Sequence, residues 1–253
     1  MTKRALSTLF WAFVTVSSIL LYPVAVMIWV LTVPFDRRLV MLHRFTCFWA
    51  SLYTWFNPAW PVTIDGREKI RPGTAYVMVA NHLSLLDILV LFRLFRHFKW
   101  VSKIENFRVP FIGWNMSMNG YIKLRRGDRD SVVQMMEACE KAIGEGSSIM
   151  MFPEGTRSST GEMRPFKTGA FELAVKTQAP ILPIVISGTA DALPKRGFVL
   201  QGRHPIRLVV LDPIPHEGYA GMPVDELAAH FRQLIVDELA EPGPRHMKPD
   251  RPG

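Results

Sequence analysis

Residues 5–35 form a run of 31 positions without a charged side chain, carrying Phe10, Trp11, Phe13, Tyr22, Trp29 and Phe35. No other feature limits the possible folds as strongly. An α-helix needs about 20 apolar residues to cross the hydrocarbon core, so this run is expected to span with tilt, or to break at Pro23 and lie within one leaflet. A cleaved signal peptide would suit the basic start at Lys3 and Arg4. The run is too long for it, since such apolar regions have about 7–15 residues. Residues 39–60 stay rich in Phe, Trp, Leu and Tyr behind Asp36, Arg37, Arg38 and Arg44, which reads as an interfacial or hairpin-partner helix. Basic residues at both ends favour the cytoplasmic side, and a re-entrant hairpin satisfies both.

The formal charge is +8 over 253 residues, of which 49% are hydrophobic. Basic and apolar together point to a membrane surface. No basic run is interleaved with aromatics to track a phosphate backbone, so nucleic acid is set aside as a partner. Cys47 and Cys139 are far apart and form neither a disulfide framework nor a paired metal motif. That fits a reducing compartment: a membrane site with the catalytic domain on the cytoplasmic side, in a bacterial inner membrane.

After Pro61 short apolar runs alternate with amphipathic stretches, the signature of an α/β fold. Strands are expected at 62–64, 76–80, 100–101, 120–124, 149–152, 181–186 and 206–211. Helices are expected at 83–95, 129–143, 169–176 and 225–240; the last aligns Leu227, Phe231, Leu234, Ile235 and Leu239 on one face. The organisation expected is a membrane anchor over residues 1–60, one α/β domain with a mixed sheet flanked by helices over 61–240, and a disordered, proline-bearing tail over 241–253.

The strand ending at Ala80 runs directly into Asn81, His82, Leu83, Ser84, Leu85, Leu86 and Asp87. Carboxyl ends of strands are where open α/β sheets place their ligand crevices. Two readings compete here. Ser84 and Asp87 match an S-x-x-D capping box, which makes Asp87 a helix cap. Alternatively His82 lies in the loop and Asp87 holds its Nδ1–H, leaving Nε2 as a general base. A second cluster follows the next apolar strand: Phe152, Pro153, Glu154, Gly155, Thr156, Arg157, Ser158. Pro153 forces a turn, Gly155 allows close backbone approach, and Arg157 offers a planar fork suited to phosphate. A surface turn with a solvated arginine is the bland alternative.

These residues resemble the lysophosphatidic-acid, or glycerolipid, acyltransferase family in four ordered blocks. Asn81-His82 with Asp87 is similar to the catalytic block, and the Gly120 to Arg126 segment to the second, whose substrate-binding arginine falls on Arg126. The Phe152 to Ser158 segment is similar to the third, and Ala179-Pro180-Ile181-Leu182-Pro183-Ile184 to the proline-rich fourth. Lys103 and the segment from Phe107 to Trp114 resemble the linker between the first two. Lys123 and Arg125 depart from the pattern, placing charge where the second block is often apolar or acidic.

The resemblance implies catalysis by His82 and Asp87, with Lys103, Arg126, Glu154, Gly155, Thr156 and Arg157 binding substrate. It implies acyl transfer from acyl-CoA or acyl carrier protein to the sn-2 hydroxyl of 1-acylglycerol 3-phosphate, giving phosphatidic acid. The partners implied are the lipid bilayer, a lysophospholipid acceptor and the thioester donor, with no cofactor and no metal. Another lysolipid acceptor, a membrane-associated hydrolase using the same pair on water, and a non-catalytic lipid-binding protein are the alternatives. No G-x-S-x-G elbow occurs, so the acceptor hydroxyl itself is expected to attack the thioester. Most other basic residues near these blocks, Arg129, Arg164 and Lys167 included, read as solvated.

Overall fold

The computed structural model describes residues 2–157, 162–195 and 198–240. Ser158 and the expected tail over 241–253 lie outside the described residues. The elements in chain order are α1 (Lys3–Thr32), α2 (Val40–Trp55), β1 (Val62–Asp65), β2 (Val77–Ala80), α3 (Leu86–Phe92), β3 (Phe98–Lys103), α4 (Ile112–Met118), β4 (Ile122–Leu124), α5 (Arg129–Gly144), β5 (Ser148–Met151), α6 (Gly169–Thr177), β6 (Ile181–Ser187), α7 (Thr189–Ala192), β7 (Ile206–Val210) and α8 (Val224–Ala240).

One seven-stranded sheet runs in the order β1-β7-β6-β2-β5-β3-β4. The five strands from β6 to β4 are mutually parallel, while β7 is antiparallel to β6 and parallel to β1. The mixed α/β class expected from the sequence is therefore the observed one. Strands β2 and β5 are buried on both faces, which explains why they read as continuous apolar runs rather than as alternating ones.

Alternate residues of these strands feed two separate cores. Met78, Ala80 and Met150 pack with Leu86 and Val90 of α3 and with Cys47 and Ala50 of α2. On the opposite face Val77, Val79 and Ile149 pack with Cys139 of α5, Phe171 of α6 and Phe231 of α8. The α2 helix is thus built into a core of the sheet, although composition alone assigns it to the anchor.

Helix α1 continues unbroken through Pro23, so of the two geometries expected the break is absent. It is long and apolar enough to cross a membrane. It lies against the rest of the chain along its length. Ser7 Oγ accepts from Leu200 N at 2.9 Å, Trp11 Nε1 donates to the Phe198 carbonyl at 2.7 Å, and Ser17 Oγ lies 3.0 Å from the Tyr53 hydroxyl of α2. Farther along, Tyr22 meets Trp114 of α4 edge to face at 5.5 Å. The outward side leaves Leu6, Leu9, Val16, Leu20, Met27 and Leu31 about half or more exposed. An exposed apolar face of this extent marks an interaction surface, and membrane association is the coarse conclusion it supports.

Candidate active site

Because β2, β3, β4 and β5 are parallel, their carboxyl ends open on one edge of the sheet. That edge gathers residues scattered over the sequence. A cavity of about 750 Å³ lies there, and His82, Lys103, Arg126 and Gly155 all line it. Its deeper walls are apolar, with Phe10, Tyr53, Leu86, Leu89 and Met116 among them.

His82 follows β2 in an irregular loop, and α3 begins only at Leu86. The helix expected from 83 therefore starts later, because the intervening backbone N–H groups are claimed by a side chain. Asp87 Oδ2 accepts from His82 Nδ1 at 2.9 Å, Leu83 N at 2.7 Å and Ser84 N at 2.9 Å. Its Oδ1 accepts from the Thr189 hydroxyl. Asp87 holds the imidazole, as one sequence reading expects, and reaches back to Ser84 N, which is one half of the expected capping box; Leu85, the residue before α3, makes no side-chain cap bond. A carboxylate on Nδ1 assigns the proton to that nitrogen and leaves Nε2 with its lone pair free. Asp87 is 1% exposed, so solvent does not compete for these bonds.

Three further groups fix His82. Its backbone N–H donates to Glu154 Oε1 at 2.7 Å. Its ring stacks on Phe152, with centroids 3.9 Å apart and planes 9° from parallel. Asn81 exchanges two 2.8 Å hydrogen bonds with the backbone of Ile186, tying the loop to β6. Glu154 and Phe152 reach His82 because β2 and β5 are neighbours, in register at Val79 and Met151.

Glu154 is buried and spans two loops, its Oε2 accepting from Arg164 N at 3.0 Å. Burial pushes its carboxyl above the ordinary range, and the N–H bonds from Arg164 and His82 oppose that shift. Gly155 adopts φ +71°, and an added Cβ would stand 3.1 Å from Lys167 Cε. Lys167 itself lines the cavity, although the sequence reading left it solvated. Lys103 ends β3 and pairs with Glu105 at 3.3 Å, and Arg126 is exposed beyond β4. Thr156 and Arg157 are half-buried in the turn after β5. The Arg157 carbonyl accepts from Lys195 Nζ at 2.6 Å, and its side chain does not line the cavity.

Thr189 is the residue that sequence reasoning missed most completely. It is fully buried and sits 102 positions from Asp87. Gly188 makes the approach possible: at φ +83°, a Cβ there would lie 2.0 Å from the Pro205 carbonyl oxygen, so no side chain fits. No local pattern around Gly188 and Thr189 announces this role.

Neither cysteine approaches the site. Both are free and buried, and burial pushes the Cys139 thiol up to about 12. Among the described residues no group of three or more His, Cys, Asp or Glu is placed to hold a metal ion.

The acyltransferase family model matches residues 61–187. The 1-acyl-sn-glycerol-3-phosphate acyltransferase of Chlamydomonas reinhardtii is 35% identical over 93% of this chain and 69% of its own length. A chloroplastic protein of that name from Brassica napus is 36% identical over 81% of this chain, and one from Saccharomyces cerevisiae is 38% identical over 72%. The matches span 58% and 61% of those two relatives. The crystal structure of the 1-acyl-sn-glycerophosphate acyltransferase from Thermotoga maritima superposes with a TM-score of 0.74 at 21% identity, covering 96% of this chain and 100% of that one, and so shares the fold. The chain belongs to the acyltransferase family.

Proposed function

We propose that this enzyme transfers an acyl group from an acyl thioester to the sn-2 hydroxyl of 1-acylglycerol 3-phosphate, forming phosphatidic acid at a membrane surface. The observation that carries this reading is His82, held at Nδ1 by a buried carboxylate and facing an apolar cavity with basic residues at its rim. The acceptor hydroxyl gives its proton to Nε2 as its oxygen bonds to the thioester carbonyl carbon. The tetrahedral adduct then expels the thiolate, which recovers the proton from the imidazolium. Asp87 stabilises that imidazolium. The apolar walls suit acyl chains, and Lys103, Arg126 and Lys167 suit phosphate groups.

Residues 1–60 serve as the anchor in this reading and residues 61–240 as the catalytic domain, with α2 belonging structurally to both. The exposed face of α1 lies on the bilayer, on the side where the acyl donor is supplied. A coenzyme A or carrier-protein thioester meets that requirement, and no cofactor takes part. The chloroplastic name of the Brassica relative speaks against a bacterial inner membrane as the defining location.

Incubating the purified chain with 1-acylglycerol 3-phosphate and an acyl-CoA is expected to yield phosphatidic acid and free thiol in equal amounts. Free fatty acid without the ester product would overturn acyl transfer in favour of hydrolysis.

The arginine of the third block is testable separately. The Arg157 side chain makes no ion pair among the described residues and follows Glu154 by three positions in the turn after β5. A bidentate guanidinium contact is not copied by an ammonium group. Arg157→Lys is expected to lower kcat/KM for the phosphate-bearing acceptor about ten- to hundredfold, matching the roughly 1.5–3 kcal/mol of a charged hydrogen bond. Lys167→Gln, run in parallel with each substrate varied in turn, reports whether the cavity lysine serves the same phosphate. A loss confined to the donor in Arg157→Lys would reassign Arg157 to the donor phosphates.

A further inference from the structure

The outer surface of α2 carries Arg44, Phe48 and Trp55 at spacings of four and seven residues, so they share one stripe. Phe48 lies 6.1 Å from Trp55. Trp55 in turn stacks on Phe95, with centroids 6.0 Å apart and planes 14° from parallel. Two arginines from other parts of the chain close on this pair. The Arg93 guanidinium stands 5.9 Å from the Trp55 ring centroid, and the Arg67 guanidinium 5.9 Å from that of Phe95.

None of Arg44, Arg67 and Arg93 forms an ion pair among the described residues, while the nearby Asp65 and Asp212 are taken by Arg207 and Lys69. Arg67 Nη2 donates to the Arg93 carbonyl, and its Nε is enclosed without a partner. Burial, and then the Arg67 cation, pulls Arg93 below the usual guanidinium range. Arg67 and Arg93, unpaired and half-buried side by side, are costly unless an anion joins them.

The location names the anion's source. Phe56 is 71% exposed beside Trp55 and touches Phe13 of α1 at 6.0 Å, so the cluster adjoins the apolar face assigned to the membrane. Tryptophan and arginine side by side at such an edge suit headgroup depth. None of Arg44, Trp55, Arg67, Arg93 and Phe95 lines the catalytic cavity. We propose that Arg67 and Arg93, with Trp55 and Phe95, form a second lipid site that binds the phosphate of an anionic glycerophospholipid in the supporting bilayer, with Arg44 farther along the α2 stripe facing the same headgroup layer. The proposal rests on the reading of α1 as membrane-bound.

Vesicle flotation of the full chain tests both parts separately. Binding to pure phosphatidylcholine vesicles reports the α1 face, and the gain on adding phosphatidylglycerol, neither substrate nor product of the proposed reaction, reports the arginine site. Arg93→Gln is expected to reduce that gain about fivefold, equivalent to the roughly 1 kcal/mol of one basic residue at an anionic surface, with phosphatidylcholine binding unchanged. Arg93→Lys is expected to lose most of it as well, because an ammonium group neither stacks on Trp55 nor forms a fork. Full retention of the gain by Arg93→Lys would overturn the site in favour of a diffuse positive field. Abolition of the wild-type gain by inorganic phosphate, at matched ionic strength, would overturn the lipid assignment. Arg44→Gln, on the exposed side of α2, is expected to show a smaller loss in the same direction, which keeps the test valid should Arg93 variants fold poorly.

Discussion

Replacing His82 with alanine is expected to lower kcat by about 10²–10⁴-fold, the usual contribution of a positioned general base. Asp87→Asn is expected to cost a comparable factor, although asparagine caps helices nearly as well as aspartate. The structure gives this comparison its force. Asp87 Oδ2 gathers the imidazole and two backbone N–H groups, while Oδ1 takes the Thr189 hydroxyl. An asparagine can keep its oxygen toward the three donors and turn its amide toward Thr189, whose hydroxyl can rotate to accept. The loop then survives, and what disappears is the negative charge that stabilises the imidazolium. Thermal unfolding of Asp87→Asn should stay close to wild type while turnover collapses. The double variant should be little worse than His82→Ala alone, because residues acting as a unit are not additive. Near-normal turnover by Asp87→Asn would return Asp87 to the role of a cap.

How far the sequence reached depends on the range over which each signal acts. All seven strands were legible: β2, β5 and β6, buried on both faces, appear as short apolar runs between turns, while the edge strand β1 shows as alternation. Edges were less so: β3 spans Phe98–Lys103 rather than two residues, because Lys99 interrupts its apolar pattern while being buried with its Nζ on the Asn119 carbonyl. Helix α4 was missed. Gly113 sits in its first turn, where a Cβ would lie 2.5 Å from the Phe107 backbone, and the segment from Phe107 to Trp114 reads from sequence only as a linker. His82, Asp87 and Glu154 were legible because each lies just past a recognisable strand end. Thr189 and Lys167 were not, since their places depend on β6 lying beside β2 and on the path into α6. Such neighbourhoods exist only once the strand order is known.

Glu154→Gln is expected to lower kcat about 10- to 100-fold while leaving the acceptor KM nearly unchanged. The resemblance assigns Glu154 to substrate binding, but both its oxygens are already engaged, one by His82 N at 2.7 Å and the other by Arg164 N at 3.0 Å. A carboxylate can accept on both sides; an amide accepts on one and donates on the other. Whichever way glutamine turns, its NH₂ faces a backbone N–H, and a buried donor is orphaned at a cost of about 1–3 kcal/mol. Relief requires the His82 loop or the Arg164 segment to move. Displacing a catalytic group by about 1 Å can cost on the order of 10²-fold in rate, and the stacking on Phe152 and the bond to Asp87 would both loosen. The loss therefore belongs in turnover. Glu154→Asp should not rescue it, because the shorter side chain cannot span both loops. A large rise in acceptor KM at unchanged kcat would instead place the Glu154 carboxylate on the substrate, and the strut between the two loops would then be incidental to catalysis.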